Sequence, residues 1–209
     1  MTSSVIPVGL PHLSGGETRA SDRGCFPSPR PRGRSSAWCV VTARVARVLA
    51  IVATLGYVLS PDRERVLLIR RDARPDDHHF GKYNGLGGKL EPDEDVVAGM
   101  RREIREEAGL ECEVLELAGT VSWPGFGSAG EAWFVTLFRV PAWSGEPLTA
   151  NPEGSLVWRT VDDVLTGRLP MWEGDRHYLP LVFAHRPRQF HGVMPYDRGR
   201  PIGWRYTEL

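Results

Sequence analysis

A chain of 209 residues, 41% hydrophobic and 25% charged, carries enough apolar side chain for one domain with a complete core plus an extra segment, and its balance is that of a soluble globular protein. Basic and acidic residues cancel at 26 each, yet the first 50 residues hold seven arginines against Glu17 and Asp22, a charge of +5 that leaves −5 on the rest. A globular part of that sign excludes a nucleic-acid binder.

Three cysteines, Cys25, Cys39 and Cys112, are too few and too scattered for a disulfide framework or a tetrahedral zinc site. Free thiols and a reducing, cytoplasmic compartment are expected.

Residues 1–43 mix Pro, Gly, Ser and Arg without a period of 3.6 or 2, so they cannot bury enough apolar area to offset the entropy of ordering them. They read as a disordered or spurious extension. The alternative is a targeting peptide, since the segment is Arg-rich and acid-poor, although its prolines break the amphipathic helix such a peptide needs. The folded domain is placed at residues 44–209.

Residues 48–59 form an apolar run of twelve, too short for a bilayer, which takes about 20. With the turn at residues 60–63 and a second apolar run at 66–69, the pattern predicts two buried strands. A polar loop leads to Tyr83-Asn84-Gly85-Leu86-Gly87-Gly88-Lys89, where glycines let the backbone approach a ligand closely. A helix over residues 95–108 follows, acidic at its start and stopped by Gly109.

Strands are expected again at 113–117, around 121–123, and over 132–140 and 156–158. Short helices are expected at 161–165, begun by Thr160, and at 179–184. The tail reads as a hairpin of residues 189–196 and 202–206. The fold class is α/β (α+β), a curved mixed sheet with two or three helices and no internal repeat.

At 100° per residue, Val97, Met100, Ile104 and Ala108 of the central helix make one apolar stripe, and Glu103, Glu106 and Glu107 fall together beside it, facing outward. Like charges at i, i+3 and i+4 repel by a few tenths of a kcal/mol per pair on an isolated helix. A compensating cation turns that cost into a site, and hard divalent ions with oxygen ligands, Mg²⁺ or Mn²⁺, suit carboxylates best.

The spacing is specific. Gly88, Glu94, Arg102, Glu103, Ile104, Glu106, Glu107, Gly109 and Leu110 match without departure the signature of the Nudix hydrolase family, which this stretch resembles. The resemblance implies an α/β/α sandwich and a metal-dependent hydrolase of nucleoside diphosphates linked to another group. It implies Glu103, Glu106 and Glu107 as metal ligands with the Gly87 carbonyl, Arg102 as the residue that orients carboxylates, and Glu94 as the brace between loop and helix. Glu153, in the loop before Trp158, is the candidate for a further acid that completes the metal cluster or takes the proton of water; Asp162 and Asp163 compete less well.

Outside that box, residues 54–209 resemble the MutT-homologue branch, whose members hydrolyse oxidised purine nucleoside triphosphates. The carriers are residues 83–89, Met171-Trp172 with Asp175 and Pro180, and Phe190-His191-Gly192. By that resemblance Asn84 hydrogen-bonds the purine, Trp172 stacks on it and Asp175 reads its edge, while Thr54 and Lys89 are candidates for the pocket wall and the phosphate charge. The branch has two adjacent aspartates where this chain has Gly174-Asp175, which leaves the preferred base open.

His78, His79, His177 and His191 show no metal-ligand spacing and receive no role. The implied reaction is Mg²⁺-dependent conversion of a substrate such as 8-oxo-dGTP to the monophosphate and pyrophosphate, in nucleotide-pool sanitation. The rivals are the same chemistry on a dinucleoside polyphosphate, ADP-ribose or a normal nucleotide, and a nucleotide-sensing module without turnover. The expected partner is a small nucleotide, with no nucleic acid, no membrane and a monomer favoured.

Overall fold

The computed structural model describes residues 49–77 and 79–209. The readings of residues 1–43, of Cys25 and Cys39, and of His78 lie outside the described residues.

In chain order the elements are β1 (Ala50–Leu59), β2 (Arg65–Arg70), β3 (Tyr83–Asn84), α1 (Val96–Ala108), β4 (Glu111–Trp123), β5 (Ala132–Ser144), β6 (Ala150–Asn151), β7 (Gly154–Thr160), α2 (Val161–Leu165), α3 (Asp175–Val182), β8 (Phe190–Val193), β9 (Tyr196–Asp197), β10 (Arg200–Pro201) and β11 (Arg205–Glu208). The main sheet runs β11-β8-β4-β5-β1-β2-β7-β6, with β3 on β2. It is mixed: β1 is parallel to β5 and β8 to β4, while the other pairings are antiparallel.

Alternation along the strands divides the apolar residues between two faces. Leu55, Tyr57 and Leu59 of β1 with Val66 and Leu68 of β2 pack toward α2 and α3, meeting Val164, Tyr178, Leu179 and Val182. Val58, Leu67 and Ile69 pack on the other side against Met100, Ile104 and Ala108 of α1. Met100 and Ile104 are fully buried, each a gain of roughly 1.5–3 kcal/mol over exposure, and this fixes which face of α1 is left for chemistry. Cys112 is a buried free thiol.

Asp95 caps α1, its Oδ1 accepting the N–H groups of Val97 (2.8 Å) and Ala98 (2.9 Å), and such a cap contributes about 1 kcal/mol. Gly109 ends the helix at φ 70° with its N–H on the Arg105 carbonyl, the left-handed stop expected there. Val97 does not join the buried stripe; it is 42% exposed, and Gly99 takes its place inside.

Three other expectations are corrected. The two strands expected at 113–117 and 121–123 are one strand, β4, whose register shifts between Cys112 and Gly119 broke the alternation that would have revealed it. The helix expected at 179–184 begins four residues earlier, at Asp175, with Pro180 inside it. The tail hairpin is interrupted: β8 pairs β11, and a separate inner pair, β9 with β10, closes the turn at Arg198 and Gly199.

β1 sets the site. On one edge it pairs β5, and on the other its C-terminal end pairs β2 while its N-terminal part takes the glycine loop, through bridges Ala53 with Lys89 and Gly56 with Leu86. The Thr54 N–H donates to the Gly88 carbonyl at 2.8 Å, and the Gly56 N–H to the Leu86 carbonyl at 2.7 Å.

Candidate active site

The glycine loop and α1 close on each other without room for side chains. Gly87 stands at φ 144°, a conformation that favours glycine, and a Cβ there would run into the Thr54 carbonyl; one at Gly88 would land on the Glu103 carboxylate. With nothing between them, the Gly87 N–H donates to Glu107 Oε2 at 2.7 Å.

One guanidinium organises the acids of this end. Arg102 Nε and Nη2 bind Glu94 at 2.7 and 2.9 Å, Nη1 donates to Glu103 (3.0 Å) and Glu106 (3.2 Å), and Nη2 also reaches the Lys89 carbonyl (3.2 Å). The two-pronged bond to Glu94 is the stronger kind. Glu94 also accepts the Glu91 N–H at 3.0 Å, so the loop before α1 is tied to the middle of the helix. The Arg102 bond holds the Glu94 carboxyl below its usual range.

The three glutamates do not all face outward. Glu106 is exposed, but Glu103 and Glu107 are half-buried against the loop. Burial pushes the Glu107 carboxyl up to about 8; the Gly87 N–H works against that, and the charges of Glu103, Glu153 and Glu106 add to it. Burial also raises Glu103, with Arg102 opposing.

Among the described residues no three His, Cys, Asp or Glu side chains already stand at metal-ligand geometry; each carboxylate is turned instead to Arg102 or to the Gly87 N–H. The donor chemistry nonetheless fits a hard divalent cation: the acids offer only oxygen ligands, and a nearby positive charge would remove the repulsion that raises Glu107.

Glu153 reaches the same place from the other direction. Asn151 fixes the β6–β7 turn by accepting the N–H groups of Glu153 (2.9 Å) and Gly154 (3.1 Å) and donating to the Glu107 carbonyl (3.2 Å). Arg71 Nη1 binds Glu153 at 2.7 Å while the rest of its guanidinium holds Asp77. Asp162 and Asp163 pair with Arg168 instead, at 2.8 and 3.0 Å, and do not border the cavity described next.

A cavity of about 350 Å³ opens beside the loop, on the face that carries α3. Thr54, Asn84, Gly87, Lys89, Glu153, Trp172 and Asp175 all border it, so residues named from four separate stretches of sequence come together. Trp172 is flanked by Lys82, whose Nζ lies 5.0 Å from the ring centre, and by His79, its ring tilted 49° at 5.0 Å. Lys89 Nζ lies 5.2 Å from the Trp133 ring.

Asp175 is buried and accepts the Trp172 N–H (3.1 Å) and the Tyr178 hydroxyl (2.7 Å). Burial raises its carboxyl to about 6 against those two bonds and the more distant Lys82.

Sequence reasoning missed much of the wall. Arg71, His79, Trp123, Phe126, Trp133, Tyr178 and Tyr196 also border the cavity. His79 received no role because only metal spacing was sought among the histidines. The tryptophans read as strand residues, and no signal along the chain shows which strand face borders a cavity.

A sequence model described as the NUDIX domain matches residues 50–182. The chain is 32% identical over 133 residues to the oxidized purine nucleoside triphosphate hydrolase of Danio rerio, covering 64% of this chain and 80% of that protein. It is equally 32% identical, over 120 residues, to the CTP pyrophosphohydrolase of Escherichia coli (strain K12), covering 57% and 81%. Among solved structures, a MutT protein from Bacillus halodurans superposes with a TM-score of 0.64 at 29% identity, over 75% of this chain and 97% of that one.

Proposed function

This chain belongs to the Nudix hydrolase family, and on that premise we propose that it hydrolyses oxidised purine nucleoside triphosphates to the monophosphate and pyrophosphate. The observation that carries the reading is a single cavity that reaches from the Gly87 and Gly88 loop to Trp172, Asn84 and Asp175. One ligand with a phosphate end and an aromatic end fits that arrangement. A Danio rerio relative of the same description supports the substrate class.

Nudix hydrolases generally use divalent cations. In this reading Glu103, Glu106, Glu107, Glu153 and the Gly87 carbonyl hold Mg²⁺ or Mn²⁺. Such an ion, when bound, neutralises phosphate oxygens and supplies a bound water of lowered pKa.

The chain's own residues do the rest. Arg102 keeps Glu103 and Glu106 in register through its bonds to both, and its grip on Glu94 holds the loop against α1. Glu153 stands close enough for its charge to act on Glu107, and, only partly covered, it is the acid proposed to take the proton of water. Lys89 meets the phosphate charge. Trp172 stacks on the base, a contact worth about 1–3 kcal/mol that no base is denied. Discrimination falls to polar groups, Asn84 and Asp175 among them.

The test is a panel of oxidised and normal nucleoside triphosphates with Mg²⁺, read by product analysis. An oxidised purine should give pyrophosphate with the highest kcat/KM. Release of inorganic phosphate, or a preference for CTP or another undamaged nucleotide, would defeat the assignment.

A further inference from the structure

The N–H groups of two neighbouring indoles at the cavity have no acceptor among the described residues. Trp123 on β4 and Trp133 on β5 stand opposite each other in the antiparallel register, and cross-strand partners share a face of the sheet. Both border the cavity. Their Nε1 atoms are buried, and no protein acceptor among the described residues lies within hydrogen-bond reach of either. An indole N–H only donates, and a buried donor without an acceptor costs roughly 1–3 kcal/mol.

A third donor stands near them, across the Phe126 ring that touches all three side chains. A side chain at Gly174, the place where the branch pattern has its first aspartate, would collide with the Tyr196 hydroxyl. That hydroxyl has in hand the Met194 Sδ at 3.3 Å, a weak acceptor. Tyr196 is held there by its N–H on the Pro124 carbonyl (2.8 Å) and by its ring against Phe126.

We propose that the N–H groups of Trp123 and Trp133, with the Tyr196 hydroxyl in place of a second carboxylate, form a set of donors that reads carbonyl oxygens on the edge of the bound base. The idea rests on the cavity being the base subsite proposed above. It deepens that reading by naming what is selected: a base rich in carbonyl oxygen, as oxidation at carbon makes a purine, over one whose edge carries an amino group alone.

The experiment measures binding, without turnover, of 8-oxo-dGMP, dGMP, dCMP and dAMP to the full chain and to Trp123→Phe, Trp133→Phe and Tyr196→Phe, by calorimetry. Each variant should lose affinity for the three carbonyl-bearing nucleotides by about 3- to 10-fold, the range of one neutral hydrogen bond, and keep its affinity for dAMP. Should the buried Trp123→Phe fail to fold, the indole ¹⁵N–¹H signals of the unaltered protein give the same answer: two of them should move downfield with 8-oxo-dGMP and stay with dAMP.

Equal losses for all four nucleotides, no loss at all, or indole signals that ignore the carbonyl-bearing ligands would overturn the proposal. Unaltered protein that cleaves oxidised purines, beside variants that keep its selectivity, sinks the donor set and spares the proposed function. Indoles that respond to dCMP in a protein indifferent to oxidised purines do the reverse.

Discussion

The two ends of the cavity are built by different means. The proposed phosphate end comes from one run of 26 residues, 85–110, in which loop and helix are tied by Arg102, Glu94 and the Gly87 N–H. The proposed base end is assembled from β1, β3, β4, β5, α3 and β9, of which β4 and β5 alone follow each other in the chain. Each region also has an acid at raised pKa, the half-buried Glu107 behind the glycine loop and the buried Asp175 in the cavity wall, but Glu107 is raised by burial and by neighbouring carboxylates, whereas burial alone raises Asp175. The first is an acid waiting for positive charge; the second is suited to sharing a proton with a ligand.

The largest effect should come from Glu107→Gln, which leaves the Gly87 N–H an acceptor but removes a charge. Turnover should fall by roughly two to four orders of magnitude, because a weakened metal site gives up several kcal/mol of transition-state charge stabilisation. Without metal, stability should move the other way. The folded value of about 8 lies above the ordinary 4.5, so the native state binds the proton more readily than the unfolded chain, and the stabilisation present below pH 4.5 is lost as pH rises through 8. Urea unfolding in chelator at pH 6 and pH 9 should show the variant gaining on the parent at the higher pH. A variant as active as the parent, or a gain at pH 6 alone, would dissolve the contrast between the two ends.

The same contrast explains what could be read from sequence. Spacing survives in a contiguous stretch, so the helix, its Gly109 stop and the clustering of Glu103, Glu106 and Glu107 on one side of it were legible from residues alone, whereas Asp95 read as the first helical residue and proves to be the cap. The longer strands were legible as apolar runs, except β4, where register shifts hid the period, while the two-residue strands β3, β6, β9 and β10 are too short to show one. The direction of the glutamates was not, because periodicity gives the angle around a helix and not what packs beside it; Gly87 and Gly88 draw Glu107 and Glu103 inward. Trp172 and Asp175 were reached through a resemblance, whereas Trp123 and Trp133 meet through the β4–β5 register, and Tyr196 and His79 join them from β9 and from the loop before β3, which no spacing along the chain shows.

At the proposed base end, Trp172 should act on binding and leave the chemistry alone if it stacks on the base. Trp172→Ala should raise KM for an oxidised purine by the equivalent of about 1–3 kcal/mol with kcat nearly unchanged, the mark of uniform binding. Lys82 and His79, which pack on that ring, lose their support, so part of the effect should be matched by Lys82→Met. If KM holds and kcat falls, the separation of the cavity into a reacting end and a holding end is wrong.

The smallest and sharpest effect concerns proton sharing. Asp175 titrates near 6 in the folded protein against an ordinary 3.8, so its stabilising contribution is complete below pH 3.8 and disappears as pH rises through 6. Asp175→Asn removes that dependence: its amide oxygen can keep the Trp172 N–H, and its NH₂ can donate to the Tyr178 hydroxyl, whose proton can turn to Tyr57 at 3.4 Å. Relative to the parent, the variant should therefore gain stability between pH 5 and pH 7. Nucleotide affinity should shift by only a few-fold over the same window in the parent and stay flat in the variant. Glu107 changes charge roughly two pH units higher, so a profile that persists in Asp175→Asn but vanishes in Glu107→Gln would assign the proton to the phosphate end, and with it the task of reading the base to the indole and tyrosine donors alone.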